Sequence, residues 1–216
     1  MDQENFNTNK YIFVKDAIPK ELCNVLTDYT LMKQLHEPNK STDISNTMMP
    51  DTHEKYGDHA MEALLINLLP TIEKYTELTL YPTYSFYRVY KPGDVLFKHA
   101  DRPSCEISVS LTLGYEYDSE DENYVWGLWA GDTEFKMSQG DMLIYKGLEV
   151  PHWREPFNIK NGWQSQVFLH YVDADGHYAD LINDARPNVG YPEWVKNTAL
   201  LSKAANLHKV LSNKDV

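Results

Sequence analysis

From Leu78 to Val172 the chain runs in short segments rich in Tyr, Val, Ile, Phe and Trp, cut by Pro92-Gly93, Gly131-Asp132, Gly140-Asp141 and Asn161-Gly162. β-branched and aromatic side chains fit a pleated surface, and Pro-Gly, Gly-Asp and Asn-Gly pairs supply the backbone of tight turns. That alternation excludes a helical bundle and predicts many short strands: near 83–91, 94–98, 105–114, 125–130, 133–136, 141–145, 150–154 and 163–172. About eight strands in succession fit a double-sheet jelly roll, in which two sheets pack face to face.

The residues before this region follow a helical period. A short strand over 11–14 precedes a helix over about 19–34, with Leu22, Val25, Leu26 and Tyr29 as its apolar face. The polar stretch 36–56 has no period and reads as a long loop. A second helix over about 58–75 buries Ala60, Leu64, Leu65, Leu68 and Leu69, with a kink expected at Pro70. The tail predicts a short helix over 195–211. The expected fold is therefore mainly β with flanking helices, in one domain spanning 1–216. Its helical N-terminal part covers about 15–76, its jelly-roll core 83–173 and its C-terminal tail 174–216.

Composition narrows the function. A formal net charge of −12 opposes a nucleic-acid partner, because phosphate binding calls for a basic surface. Two cysteines, Cys23 and Cys105, fall in different segments, so a disulfide framework is not expected and a reducing compartment fits. With no apolar leader and no run of membrane-spanning length, the expectation is a cytoplasmic protein with no membrane partner.

Within the strand-rich region, His99-Ala-Asp101 ends one predicted strand and His152 begins another, after Glu149-Val-Pro. On a strand, residues two apart face the same side, so His99 and Asp101 are expected to point together into the barrel. Two imidazoles and one carboxylate suit Fe(II) and leave coordination positions open, whereas an all-thiolate site would indicate zinc. Of the other histidines, His36, His53 and His59 are assigned to surface roles. His170 lies on the last strand with no carboxylate two residues away, and His177 and His208 lie beyond the strands.

The order Tyr90-Lys-Pro-Gly93, His99-x-Asp101, the Gly140-Asp141 strand, His152 and the closing Phe168-Leu-His-Tyr-Val172 resembles the 2-oxoglutarate/Fe(II)-dependent dioxygenases, in particular the prolyl and lysyl hydroxylase branch. The resemblance spans about residues 84–173. It implies a double-stranded β-helix (cupin-like) with iron held by His99, Asp101 and His152. It also implies 2-oxoglutarate and O₂ as co-substrates and ascorbate as an activator. The implied reaction is hydroxylation of an unactivated carbon in a prolyl-like peptide or a small molecule, with release of succinate and CO₂. Retention of the carboxylate ligand favours hydroxylation over halogenation.

The family places an Arg or Lys early in its last strand to pair with the distal carboxylate of 2-oxoglutarate. Here that position holds Gln164, which cannot neutralise a charge. The cation must come from Arg154 or Arg102, with Arg88 as a third candidate. Tyr90 matches the family tyrosine that hydrogen-bonds the co-substrate, and Ser108 or Ser110 could add a hydroxyl contact. Cys105 reads as a small buried hydrophobe, and Trp126 and Trp129 as core residues. The competing class is a non-catalytic cupin-like binding module or a structural jelly roll.

Overall fold

The computed structural model describes residues 6–36 and 52–189. Its elements are helix α1 (Phe6–Asn9), β1 (Tyr11–Val14), α2 (Lys20–His36), β2 (His53–Tyr56), α3 (His59–Thr76), β3 (Leu80–Tyr90), β4 (Leu96–His99), β5 (Ile107–Tyr117), β6 (Leu128–Ala130), β7 (Thr133–Phe135), β8 (Met142–Lys146), β9 (His152–Arg154) and β10 (Gly162–Asp173). Short 3-10 turns cover Pro103–Cys105 and Ala179–Ala185. The strands form a six-stranded sheet, β1-β8-β5-β10-β3-β2, and a four-stranded sheet, β4-β9-β6-β7, with every pairing antiparallel.

The large sheet is buried on both faces, and its period-2 pattern sorts the side chains. Val109, Leu111 and Leu113 on β5, with Val167, Leu169 and Tyr171 on β10, pack beneath the helices. Between the two sheets, Tyr90, Leu143, Tyr145 and Phe168 meet Leu96, Leu128 and Ala130. Near them on the inner face lie the polar Ser108, Ser110, Thr112, Gln164, Gln166 and His170, all buried. Such a polar inner face is costly unless its groups find partners, which concentrates attention there.

Helix α3 is set as its sequence dictates. Asp58 caps it, accepting from the Ala60 N–H at 3.0 Å, and Leu64, Leu65, Leu68, Leu69 and Ile72 are buried against the sheet. Each such side chain contributes roughly 1.5–3 kcal/mol of transfer free energy. The helix continues through Pro70 to Thr76.

Helix α2 departs from its apolar pattern. Leu22 and Val25 are 39% and 65% exposed, and the buried face is instead Cys23, Leu26, Thr27 and Thr30. The reason is close approach to the sheet. A Cβ at Gly114 of β5 would lie 2.6 Å from Thr27 Oγ1, and Thr30 exchanges a 2.8 Å hydrogen bond with Ser165 of β10. Small hydroxyl side chains fit this seam where leucines would not.

The 36–56 loop assignment fails at its end: His53–Tyr56 pairs with Val89–Phe86 as β2. Its sequence, His-Glu-Lys-Tyr, carries no alternation of apolar residues, so tertiary pairing decides it. Residues 37–51 and the helix expected over 195–211 lie outside the described residues.

Candidate metal centre and co-substrate pocket

β4 and β9 pair so that His99 stands opposite His152, with ring centroids 4.3 Å apart. Asp101 is not on the strand, contrary to the two-apart expectation; β4 ends at His99. Instead the Asp101 N–H donates to Gly147 O at 2.9 Å, which turns the carboxylate toward the imidazoles. Its Oδ1 lies 3.7 Å from His99 Nε2 and 3.5 Å from His152 Nε2. The turn requires glycine at 147, because a Cβ there would come within 2.5 Å of Asp101 Oδ2 and 2.2 Å of Cys105 O.

Both imidazoles have their Nδ1 beside a backbone carbonyl: His99 beside Phe97 O at 2.7 Å and His152 beside Val150 O at 3.0 Å. A carbonyl only accepts, so each Nδ1 carries the proton and each Nε2 presents a lone pair toward Asp101. Burial, partly offset by Asp101, holds the His152 imidazole below its ordinary pKa, which keeps it neutral and able to ligate. The donor atoms of the three residues lie within 4.8 Å of one another. Two imidazoles with oriented Nε2 atoms and one carboxylate fit a divalent iron.

A supporting hydrogen bond was not foreseen. Ser108 Oγ donates to Asp101 Oδ2 at 2.6 Å and lies 3.0 Å from His170 Nδ1. Ser108 has one proton, and Asp101 takes it, so His170 donates from Nδ1. His170, assigned no carboxylate from sequence, thus reaches Asp101 through one hydroxyl. Burial lowers its pKa to about 4.

The arginines separate by their partners. Arg102 is committed to Asp184, pairing through both terminal nitrogens at 2.7 Å, and its side chain is half exposed. Arg88 pairs with Glu54 at 2.8 Å. Arg154 is 1% exposed and has no carboxylate partner among the described residues. One Nη donates to Trp126 O at 2.7 Å, while Nε and the other Nη have no hydrogen-bond partner among the described residues. Its guanidinium stacks over Trp126 at 4.9 Å and Tyr90 at 5.8 Å. Orphaned buried donors are rare in folded proteins and mark a place where a ligand supplies the acceptor.

Gln164, in contrast, is satisfied internally. Its Oε1 accepts from Tyr117 at 2.6 Å and its Nε2 donates to Gln166 Oε1 at 2.9 Å; Gln166 in turn donates to Ser110 Oγ at 2.8 Å. Ser108 and Ser110 are therefore both engaged by protein groups. Tyr117 was missed by sequence reasoning; its signal is a tyrosine ending β5 opposite Gly162, two residues before Gln164. Two further assignments need correction. His53 is buried and hydrogen-bonds Tyr87 Oη at 3.0 Å, while Trp129 stacks on Trp153 at 5.5 Å and is only partly buried.

No protein-family model and no curated protein sequence matches the chain. The fold matches solved structures closely. A prolyl-4-hydroxylase from Pseudomonas putida superposes with a TM-score of 0.59 at 16% identity, over 78% of this chain and 96% of the other. A Trichoplax adhaerens prolyl hydroxylase, solved with a peptide fragment of hypoxia inducible factor, gives 0.59 at 13% identity, over 80% and 88%. HygX from Streptomyces hygroscopicus, solved with nickel and 2-oxoglutarate, gives 0.56 at 10% identity, over 86% and 92%. The chain shares the double-stranded β-helix fold of these solved structures. Among the described residues, no helix is long and apolar enough to cross a membrane.

Proposed function

We propose that this protein is an Fe(II)- and 2-oxoglutarate-dependent dioxygenase that hydroxylates an unactivated carbon of a peptidyl or small-molecule substrate. The observation that carries the reading is the pairing of two features within one barrel. His99, Asp101 and His152 converge with both Nε2 atoms turned toward Asp101, and a buried arginine lies inside the same barrel with two guanidinium nitrogens unpaired among the described residues.

Iron, when bound, supplies activation of O₂ coupled to oxidative decarboxylation of 2-oxoglutarate to succinate and CO₂. The chain supplies the rest. His99, Asp101 and His152 hold the ion, and Ser108 fixes the carboxylate. Arg154 offers the distal carboxylate of 2-oxoglutarate a planar pair of donors, and Tyr90 adds a hydroxyl. Trp126 and Tyr90 lie against the guanidinium and Phe157 stacks on Trp126, all buried, so the charge pairing acts in a low-dielectric setting. Arg154 is thus the replacement for the charge that Gln164 lacks.

The fold neighbours include enzymes of peptides, such as the hydroxylase bound to a hypoxia inducible factor fragment, and the carbocyclase SnoK of nogalamycin biosynthesis. Both substrate classes are therefore compatible with this architecture. Anaerobically reconstituted protein should consume O₂ and convert 2-oxoglutarate to succinate when air is admitted, and His152→Ala should abolish the conversion. Tight Fe(II) binding with no succinate in any condition would favour the non-catalytic cupin-like alternative.

A further inference from the structure

Asp101 belongs to a second cluster of metal-ligating side chains. One donor atom each from Asp101, Cys105 and His170 lie within 4.8 Å of one another. Cys105 is 2% exposed and His170 6%, so the cluster is enclosed. We propose that Asp101, Cys105 and His170 form an alternative site for a thiophilic divalent cation, of which Zn²⁺ is the type, and that filling it takes Asp101 away from the iron triad. The exclusivity rests on the iron reading above; the site itself does not.

The ligand set argues for the ion. The triad is all nitrogen and oxygen, which suits Fe(II), whereas a sulfur, a nitrogen and a carboxylate oxygen suit Zn²⁺. Tetrahedral Zn²⁺ needs donors about 3.5 Å apart, so the cluster contracts by no more than about 1.3 Å to hold it. Supporting groups are already in place. Tyr84 Oη lies 3.0 Å from Cys105 Sγ, positioned to donate to a thiolate, and Ser108 donates to Asp101. Such hydrogen bonds orient ligands and raise affinity. On binding, the Cys105 S–H bond breaks, its proton passes to solvent and the sulfur lone pair forms the metal bond. No redox change occurs.

Two dications cannot share this corner comfortably. The five side chains around it supply one carboxylate and one thiolate against four positive charges, and Asp101 is common to both sets. One ion therefore excludes the other, and an intracellular zinc pulse would switch off iron loading through Cys105.

Co²⁺ is the probe, because a thiolate-to-cobalt charge-transfer band reports sulfur ligation directly and an N/O triad gives none. Metal-free His99→Ala protein, which lacks one triad ligand at a partly exposed position, should bind Co²⁺ with one such band. The band should vanish in the Cys105→Ser and Cys105→Ala versions and persist in Cys23→Ser, which alters the remote thiol on α2. Zn²⁺ should quench it stoichiometrically and should weaken Fe(II) binding at least tenfold more in the wild-type chain than in Cys105→Ser, where Zn²⁺ competes only at the triad. Absence of a thiolate band, or a band that survives both Cys105 substitutions, overturns the proposal. If the band forms while Fe(II) and 2-oxoglutarate do not bind together, the oxygenase reading fails and the cluster stands.

Discussion

Ser108 Oγ donates to Asp101 Oδ2 at 2.6 Å, leaving Oδ1 to face both imidazole Nε2 atoms. The hydroxyl therefore selects which carboxylate oxygen points at the metal. Removing it in Ser108→Ala frees the carboxylate to rotate and leaves a partly buried acceptor unpaired. Fe(II) affinity should fall by roughly 10–100-fold, the usual cost of losing an outer partner of a metal ligand. Anaerobic Fe(II) titration checks this; unchanged affinity would show that the bond does not position Asp101.

Arg154 should trade stability against function. With no carboxylate partner among the described residues, the buried guanidinium carries a desolvation cost in the ligand-free chain, and burial lowers its pKa accordingly. Arg154→Met keeps the volume and removes the charge. We expect the ligand-free variant to be at least as stable as wild type in urea, while 2-oxoglutarate affinity falls roughly 10–150-fold, the worth of a lost charge-assisted pair. A purely structural arginine would reverse this pattern, destabilising the chain and sparing co-substrate binding.

His170 gives the metal-free protein a pH dependence of defined sign. Burial lowers its pKa to about 4, whereas the unfolded chain has the ordinary value near 6.5. Between these values the unfolded state binds the extra proton. Stability is then fully present above pH 6.5 and falls as pH drops toward 4, by at most about 1.4 kcal/mol per unit. Below that the loss levels off. Urea midpoints across this window should show the slope, and His170→Gln should flatten it.

The Arg102–Asp184 pair holds the 3-10 turn Ala179–Ala185 rather than the co-substrate. Asp184 also accepts from Tyr56 at 2.5 Å and sits in a run of left-handed residues, with φ of 60°, 53° and 60° at Asn183, Asp184 and Ala185. Non-glycine residues hold that conformation only when neighbours enforce it. Arg102→Ala should leave 2-oxoglutarate affinity within twofold of wild type and speed proteolytic cleavage near 183–185. A large loss of co-substrate affinity would return Arg102 to the candidates for the missing cation.

Local chemistry made some of this legible in the sequence. The strands announce themselves through β-branched runs and turn pairs, and His99, Asp101 and His152 stand out as candidate ligands only when residue type is taken with the order of motifs around them. Distant neighbours decided the remainder. Leu22 and Val25 form a helical stripe yet face outward, because Gly114 and Ser165 admit only Thr27 and Thr30. Asp101 points inward because of Gly147, forty-six positions away in the chain, and not through strand alternation. Nothing near Arg154 in sequence reveals that Arg102 and Arg88 already have carboxylates. Only the fold brings Asp184 and Glu54 to them and leaves Arg154 without a carboxylate among the described residues.

Whether one barrel holds Fe(II) and 2-oxoglutarate together is read directly by anaerobic titration followed by visible absorption. Chelation of the 2-oxo acid to iron gives a metal-to-ligand charge-transfer band. The account predicts this band in wild-type protein, its loss in His152→Ala, and a shift to much higher 2-oxoglutarate concentration in Arg154→Met. A folded wild-type chain that shows no band at saturating Fe(II) and 2-oxoglutarate would contradict it.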